Sequence, residues 1–312
     1  MAQVLTIKGQ RGPQGEPGSS FVGGRLTLAS GNTVLTTSVS NASTVYFTPC
    51  FSNAIFESDG AVIKSTKFNE CSQSLTDSTK SPAVAVANSA YDMFFWNDGG
   101  TQRCTRGPSW SSLTSRGAGV GTTELIRLEG VLVNRYAITN GPAAGVGIYV
   151  GSIYTNATAK VDFIFGSAAA GGGAASFGVW NYYNRFDVKT MVSDSNVSWS
   201  YNTAAWRAAD GGVGNRITFL CGLRADAVAA RYQCSQTSST GAIYIGVGLD
   251  STTIPLMKAS QNGNAYQNSM NIEINVSDLL GQHYFQGLEY GSGGTNTWYG
   301  NGFQGLLADL RL

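Results

Sequence analysis

The sequence predicts an all-β protein carried behind a short collagen-like stalk. Runs of β-branched and aromatic residues recur at intervals of about ten residues, separated by Gly, Asn and Asp turn signals. Through Gly130 no stretch shows a convincing helical period. Glycine falls at Gly9, Gly12, Gly15 and Gly18, with Pro13 and Pro17 inside the triplets. That period belongs to a triple helix, where only glycine fits the three-chain axis.

The stalk comes first. A triple helix implies three copies of the chain, so a parallel homotrimer is expected, with a Gly/Pro-rich linker as the plainer alternative. At about 3 Å per residue the triplets span only about 30 Å. They are too short to hold three chains alone, and the domains behind them are expected to trimerise. Ahead of the triplets, residues 1–8 carry the apolar Val4, Leu5 and Ile7. Three such segments side by side are expected to form an attachment anchor (9–18 being the triplets), the alternative being a frayed end.

The β-signals begin at residue 19. RLTLAS, TVLTTSVS, STVYFTPCF, NAIFES and AVIKSTKF read as strands, with Ser30-Gly31-Asn32, Ser40-Asn41 and Asp59-Gly60 as turns. Ser81 to Ala90 is alanine-rich and admits helix or loop. YDMFFW reads as a strand ending on the turn Asn97-Asp98-Gly99-Gly100. Arg103 to Glu129 reads as loop, GVLVNRYAIT as strand, and YVGSIYTNATAKVDFIFGS as a hairpin.

SAAAGGGAAS, residues 167–176, has no large side chain. It is a linker or a close backbone contact, and the domain boundary is placed here, giving 19–170 and 171–312. The second half holds about eight to ten short strands, the size of one jelly roll. It ends on Leu306 to Leu312, too apolar to be left unburied. The expected class is two β-sandwich or jelly-roll-like domains, and collagen triplets ahead of a terminal jelly roll resemble the general plan of C1q/TNF-like trimers.

Composition bounds the chemistry. Charged residues are only 12 % and net charge is +1, so no basic surface points to nucleic acid. The five cysteines, Cys50, Cys71, Cys104, Cys221 and Cys234, are odd in number and form no CxxC. Buried thiols in a reducing compartment are expected, though Cys50 with Cys71 or Cys221 with Cys234 could pair. The start MAQVLTIK lacks the basic, apolar build of a secretory signal. No run of 18 apolar residues predicts a membrane span.

Catalytic chemistry is thin. The lone histidine, His283, sits among aromatics in QHYFQGLEYG and reads as a half-buried strand residue. Metal ligands do not cluster, and no cofactor is expected. Asp187, Asp194, Asp210, Asp250, Glu273 and Glu289 leave a two-carboxylate glycosidase open by sequence. Gly117-Ala118-Gly119 and Gly246-Val247-Gly248 read as β-turns or bulges, since no helix follows them.

Binding chemistry is richer. Aromatics sit beside Asn, Gly and hydroxyl residues in WNYYN, WSYN and TWYGN, the mixture a sugar needs for stacking and hydrogen bonding. Trp298 and Tyr299, between Gly293-Gly294 and Gly300, are expected on a projecting loop. Trp199 and Tyr201 complete the candidate glycan site. The alternative for each ring is a place in the core or a subunit interface.

LTLASGNTVLTTSVSNASTVYFTP, YDMFFWNDGG, RGPSW, GVLVNRYAITNGPAAGVGIYVGSIYTNA, FGVWNYYNRFDV, IGVGLDSTT and HYFQGLEYG resemble tail-fibre or spike proteins of phages and prophages of alphaproteobacteria and marine bacteria. The likeness runs from about Gly23 to Leu312. It implies a virion fibre, assembled in the host cytoplasm and joined by its N-terminus to a tail or capsid protein. Its distal domains would bind host surface polysaccharide or lipopolysaccharide. It implies no enzyme, nucleic-acid partner or membrane insertion. A structural head fibre or capsid decoration is the alternative, and a polysaccharide-cleaving enzyme a more distant one.

Overall fold

The computed structural model describes residues 22–224, 226–263 and 265–312. The anchor residues Val4, Leu5 and Ile7 and the glycine triplets lie outside the described residues. The described chain is all-β: 25 strands and a single three-residue 3-10 helix, Ala209–Gly211. The alanine-rich stretch from Ser81 to Ser89 forms no helix.

The first half departs from its patterns in one pairing: Ile148–Tyr154 and Val161–Ile164, expected as one hairpin, join different sheets because each finds its ladder partner elsewhere in the chain. Ala90–Asp98 and Thr101–Ser109 make an antiparallel hairpin, and Gly99 and Gly100 take φ of 59° and 97° at its turn. Both glycines occupy the left-handed region that a two-residue hairpin turn requires. The expectation of loop from Arg103 onward is corrected: Thr101–Ser109 is a full strand. Its polar sequence hid this. Arg106 is buried and spends its guanidinium on the carbonyls of Leu75, Asp77 and Ala83.

Sheets then join distant parts of the chain. Val39–Ala42 pairs with Val161–Ile164, which pairs with Ala175–Phe177. Ala175–Phe177 lies parallel to Arg216–Cys221, which continues through Gly281–Gly291 and Ala242–Leu249 to Met257–Asn262. One eight-stranded sheet therefore crosses residues 170/171, where the domain boundary was expected. The small-residue stretch is a close backbone contact: a Cβ on Gly172 would stand 2.4 Å from the Gly214 carbonyl carbon, and one on Gly214 2.1 Å from Gly171 O. Buried Arg25 adds a second tie, donating to Asn184 O at 2.6 Å and Leu312 O at 2.8 Å.

The final strand, Asn296–Arg311, runs between Asp187–Asp194 and Ala227–Ser238. Leu306, Leu310 and Leu312 are buried within their own chain, while Leu307 stays exposed. Trp298 and Tyr299, expected on a projecting loop, instead continue into the apolar C-terminal run as one strand. The register slips between Ser235, opposite Tyr299, and Cys234, opposite Gln304, with Asn301 and Gly302 at positive φ. This bulge leaves Phe303 exposed.

Candidate functional site

An aromatic cleft lies on the outer face of the eight-stranded sheet. In Ala242–Leu249 the alternation buries Ile243, Ile245 and Val247 and turns Tyr244, Gly246 and Gly248 outward. Tyr290, on Gly281–Gly291, stands directly opposite Tyr244, and Lys258, on Met257–Asn262, directly opposite Gly246. Trp206 comes down onto Gly246. A Cβ there would lie 2.8 Å from Pro255 Cβ and 3.0 Å from the indole, so glycine is what lets both approach. Gly246-Val247-Gly248 is thus strand, not the expected turn or bulge.

Trp206, Tyr244 and Tyr290 are half-buried, with ring centroids 5.2 to 6.1 Å apart in edge or tilted contact. The Lys258 ammonium sits 5.8 Å from the Tyr244 centroid. These four residues line an open cleft of about 140 Å³. That is below the ~300–1000 Å³ of enclosed small-molecule pockets, so the cleft suits a ring laid across it rather than an engulfed ligand. The sequence signal used for glycan sites, an aromatic beside Asn or Gly, missed it, because Trp206 stands in AAWRAA.

The residues expected at the site gather elsewhere. Trp199 faces Trp298 across Ser198–Ser200 and Asn296–Arg311, and Tyr201 lies 6.3 Å from the Trp298 ring. Trp298 does not project: it is 0 % exposed. Asn296, Trp298 and Gly300 all point inward by strand alternation. Gly300 is no loop hinge, since a Cβ there would meet Asn196 O at 2.3 Å. Trp199 donates from Nε1 to Glu289 Oε2 at 2.6 Å, and Arg207 lies 3.8 Å over the Tyr201 ring. Tyr299 turns to the opposite face, its hydroxyl 3.5 Å from Thr237 Oγ1. Trp298 is therefore an internal residue, while Trp199 and Tyr201 stand half-buried beside it.

Comparisons with known proteins identify no relative. No family model and no curated protein matches the chain. Among solved structures, it is similar to latent PorU of Porphyromonas gingivalis at TM-score 0.29 and 9 % identity, over 72 % of this chain and 20 % of that one. The Bacillus thuringiensis delta-endotoxin Cry8Ea1 gives 0.24 and 9 %, over 93 % and 52 %. The infectious bursal disease virus Gx strain structure gives 0.27 and 11 %, over 96 % and 74 %. The chain spans a fifth of PorU and about half of Cry8Ea1. None of these likenesses bears on what the chain does.

Of the carboxylates left open by sequence, Asp194 and Glu289 are fully buried. Glu289 Oε1 accepts from Arg207 Nε at 2.6 Å, and Asp194 Oδ1 accepts from the backbone N–H of Asn196 at 2.8 Å. Asp250 binds His283 Nδ1 at 2.7 Å, and Glu273 pairs with Arg231 at 2.9 Å. Among the described residues no three His, Cys, Asp or Glu gather as for a metal. All five cysteines are free thiols, and burial pushes Cys71 up to about 11 and Cys221 to about 12.

Burial pushes the Glu289 carboxyl up to about 7, against the pull of Trp199 and Arg207. Asp210 is raised as well, by burial first, with Asn196 opposing and Asp194 adding. A carboxyl whose folded value lies above its unfolded one favours the fold below the unfolded value, and that advantage is lost as pH rises through the folded value. Stability should therefore fall between about pH 4.5 and 7, by about 3 kcal/mol from Glu289. Urea midpoints at several pH values check this. Glu289→Gln should flatten the slope, and an unchanged slope would show that Glu289 does not titrate there.

Proposed function

We propose that the protein is a phage or prophage virion fibre subunit that binds host surface glycans and is not an enzyme. The observation that carries the reading is the cleft of Trp206, Tyr244 and Tyr290. Half-exposed rings on a rigid sheet offer a sugar's C–H face something to stack on at little entropic cost. The collagen-like triplets add the expectation of three copies, which would make weak sites effectively tight by avidity. The exposed Met191, Leu307 and Phe303 on the last sheet support self-association. Attachment to tail or capsid through residues 1–8 belongs to the same proposal.

Retention of the full chain on host envelope glycans is the test. Trp206→Ala should weaken adsorption by about 1–3 kcal/mol per site, the range of a binding hot spot, with little change in thermal stability. An inert protein would favour the structural head-fibre or decoration reading, and shortened glycans would favour an enzyme. Residues 19–312 should sediment as a trimer at micromolar concentration, and a monomer would remove the avidity.

A further inference from the structure

Resting on that reading, we infer that the aromatic cleft takes an acidic sugar, one whose ring carries a carboxylate at its edge. Three rings supply a stacking surface and no charge. The charge at the rim is Lys258, exposed, on the same outer face as Tyr244 because it pairs with Gly246. Nearby Arg207 is already spent. Its guanidinium contacts Glu289 Oε1 at 2.6 Å and covers the Tyr201 ring. Lys258 makes no ion pair with a described residue, unlike Lys80, with Asp98 at 2.6 Å, and Lys189, with Asp309 at 3.7 Å.

The geometry sets the ligand's shape. A sugar lying on the rings beside Gly246 presents its edge toward Lys258, since Gly246 and Lys258 are register partners. A carboxylate on that edge meets an ammonium whose own contact is the weak one with the Tyr244 ring. The glycine at 246 seats Trp206 and Pro255, and its register partner Lys258 borders the same cleft. A neutral sugar would use the rings alone. An acidic peptide would use the lysine alone.

The full-length chain is titrated with oligogalacturonate, with a neutral maltooligosaccharide of matched length, and with poly-L-glutamate. Oligogalacturonate should bind best, and its advantage should shrink as salt rises past 0.15 M, where charges are screened beyond about 8 Å. Lys258→Met keeps the aliphatic stem and should weaken oligogalacturonate about two- to fivefold per site, the yield of one exposed ion contact. Lys258→Arg should restore it. Lys258 is exposed, so these variants should fold. Equal binding of the neutral and acidic sugars would overturn the inference and leave the glycan-binding reading standing. Poly-L-glutamate binding as well as the uronate would overturn it, since the rings would then contribute nothing. Retention of host glycans with no response to Lys258→Met would overturn it too, whereas loss of all glycan retention would remove the underlying reading.

Discussion

Asp92→Asn should destabilise the protein by about 3–5 kcal/mol, the usual result of stripping one partner from a buried ion pair. Asp92 is fully buried in Ala90–Asp98 and holds Arg116 by two contacts, Nε to Oδ2 at 2.6 Å and Nη2 to Oδ1 at 3.0 Å. Ser152 Oγ donates to the same carboxylate at 2.6 Å, and Tyr149 OH lies 2.7 Å from Ser152 Oγ. Arg116 then reaches Gly222 O at 2.5 Å, just past Arg216–Cys221 in the second half of the chain. With Asn at 92 the guanidinium stays buried without its counter-charge. The loss is a large share of the ~5–15 kcal/mol that holds a domain folded. Urea unfolding measures it. Because Arg116 bridges the two halves, both should unfold in one transition at a lower midpoint. A shift under about 1 kcal/mol would mean that water or a rearranged neighbour replaces the carboxylate.

Trp298→Ala should cost about 3–5 kcal/mol, as for other large aromatic deletions from a core. The ring is wholly enclosed, against Tyr201 and opposite Trp199 and Gln236. Among the described residues its indole N–H meets no acceptor, so the substitution loses packing without releasing a hydrogen bond. Glycan retention per folded molecule should stay within about twofold of the parent, because the cleft lies with Trp206. Trp206→Ala should do the reverse, keeping the midpoint and losing retention. Thermal melts run beside adsorption on the two variants separate the roles. If Trp298→Ala melts like the parent and loses adsorption, the burial assigned to this ring is wrong.

Much of the architecture follows from local patterning. Residue alternation and the Gly99-Gly100 pair specify the Ala90–Asp98 hairpin without help from the rest of the chain, because period two and left-handed φ are local properties. The apolar run from Leu306 to Leu312 required cover, and neighbouring strands supply it to Leu306, Leu310 and Leu312 but not to Leu307. His283 stands in a strand as expected, but it is buried, at 7 % exposed, rather than half-buried. The aromatic-rich sequence pointed to Trp298, Tyr299, Trp199 and Tyr201 as open rings, and Trp298 is instead buried.

The tertiary structure decided what depends on distant atoms. A glycine's role is one such thing: Gly293 and Gly294 turn the chain at positive φ, whereas Gly300 admits the carbonyl of Asn196 and Gly246 admits Trp206. These glycines look alike in sequence because a missing Cβ serves turning and close approach equally. The partner of a strand is another. Val161–Ile164 hydrogen-bonds to both Val39–Ala42 and Ala175–Phe177, so one sheet spans 170/171. Backbone ladders accept any neighbour in register, and local pattern does not name it. The identity of the open rings is the third. Strand alternation fixes that Trp298 and Tyr299 face opposite sides, but only the packing of Trp199, Tyr201 and Glu289 buries the side holding Trp298. Likewise it takes Gly246, on a strand distant in sequence, to seat Trp206 on the outer face with Tyr244 and Tyr290.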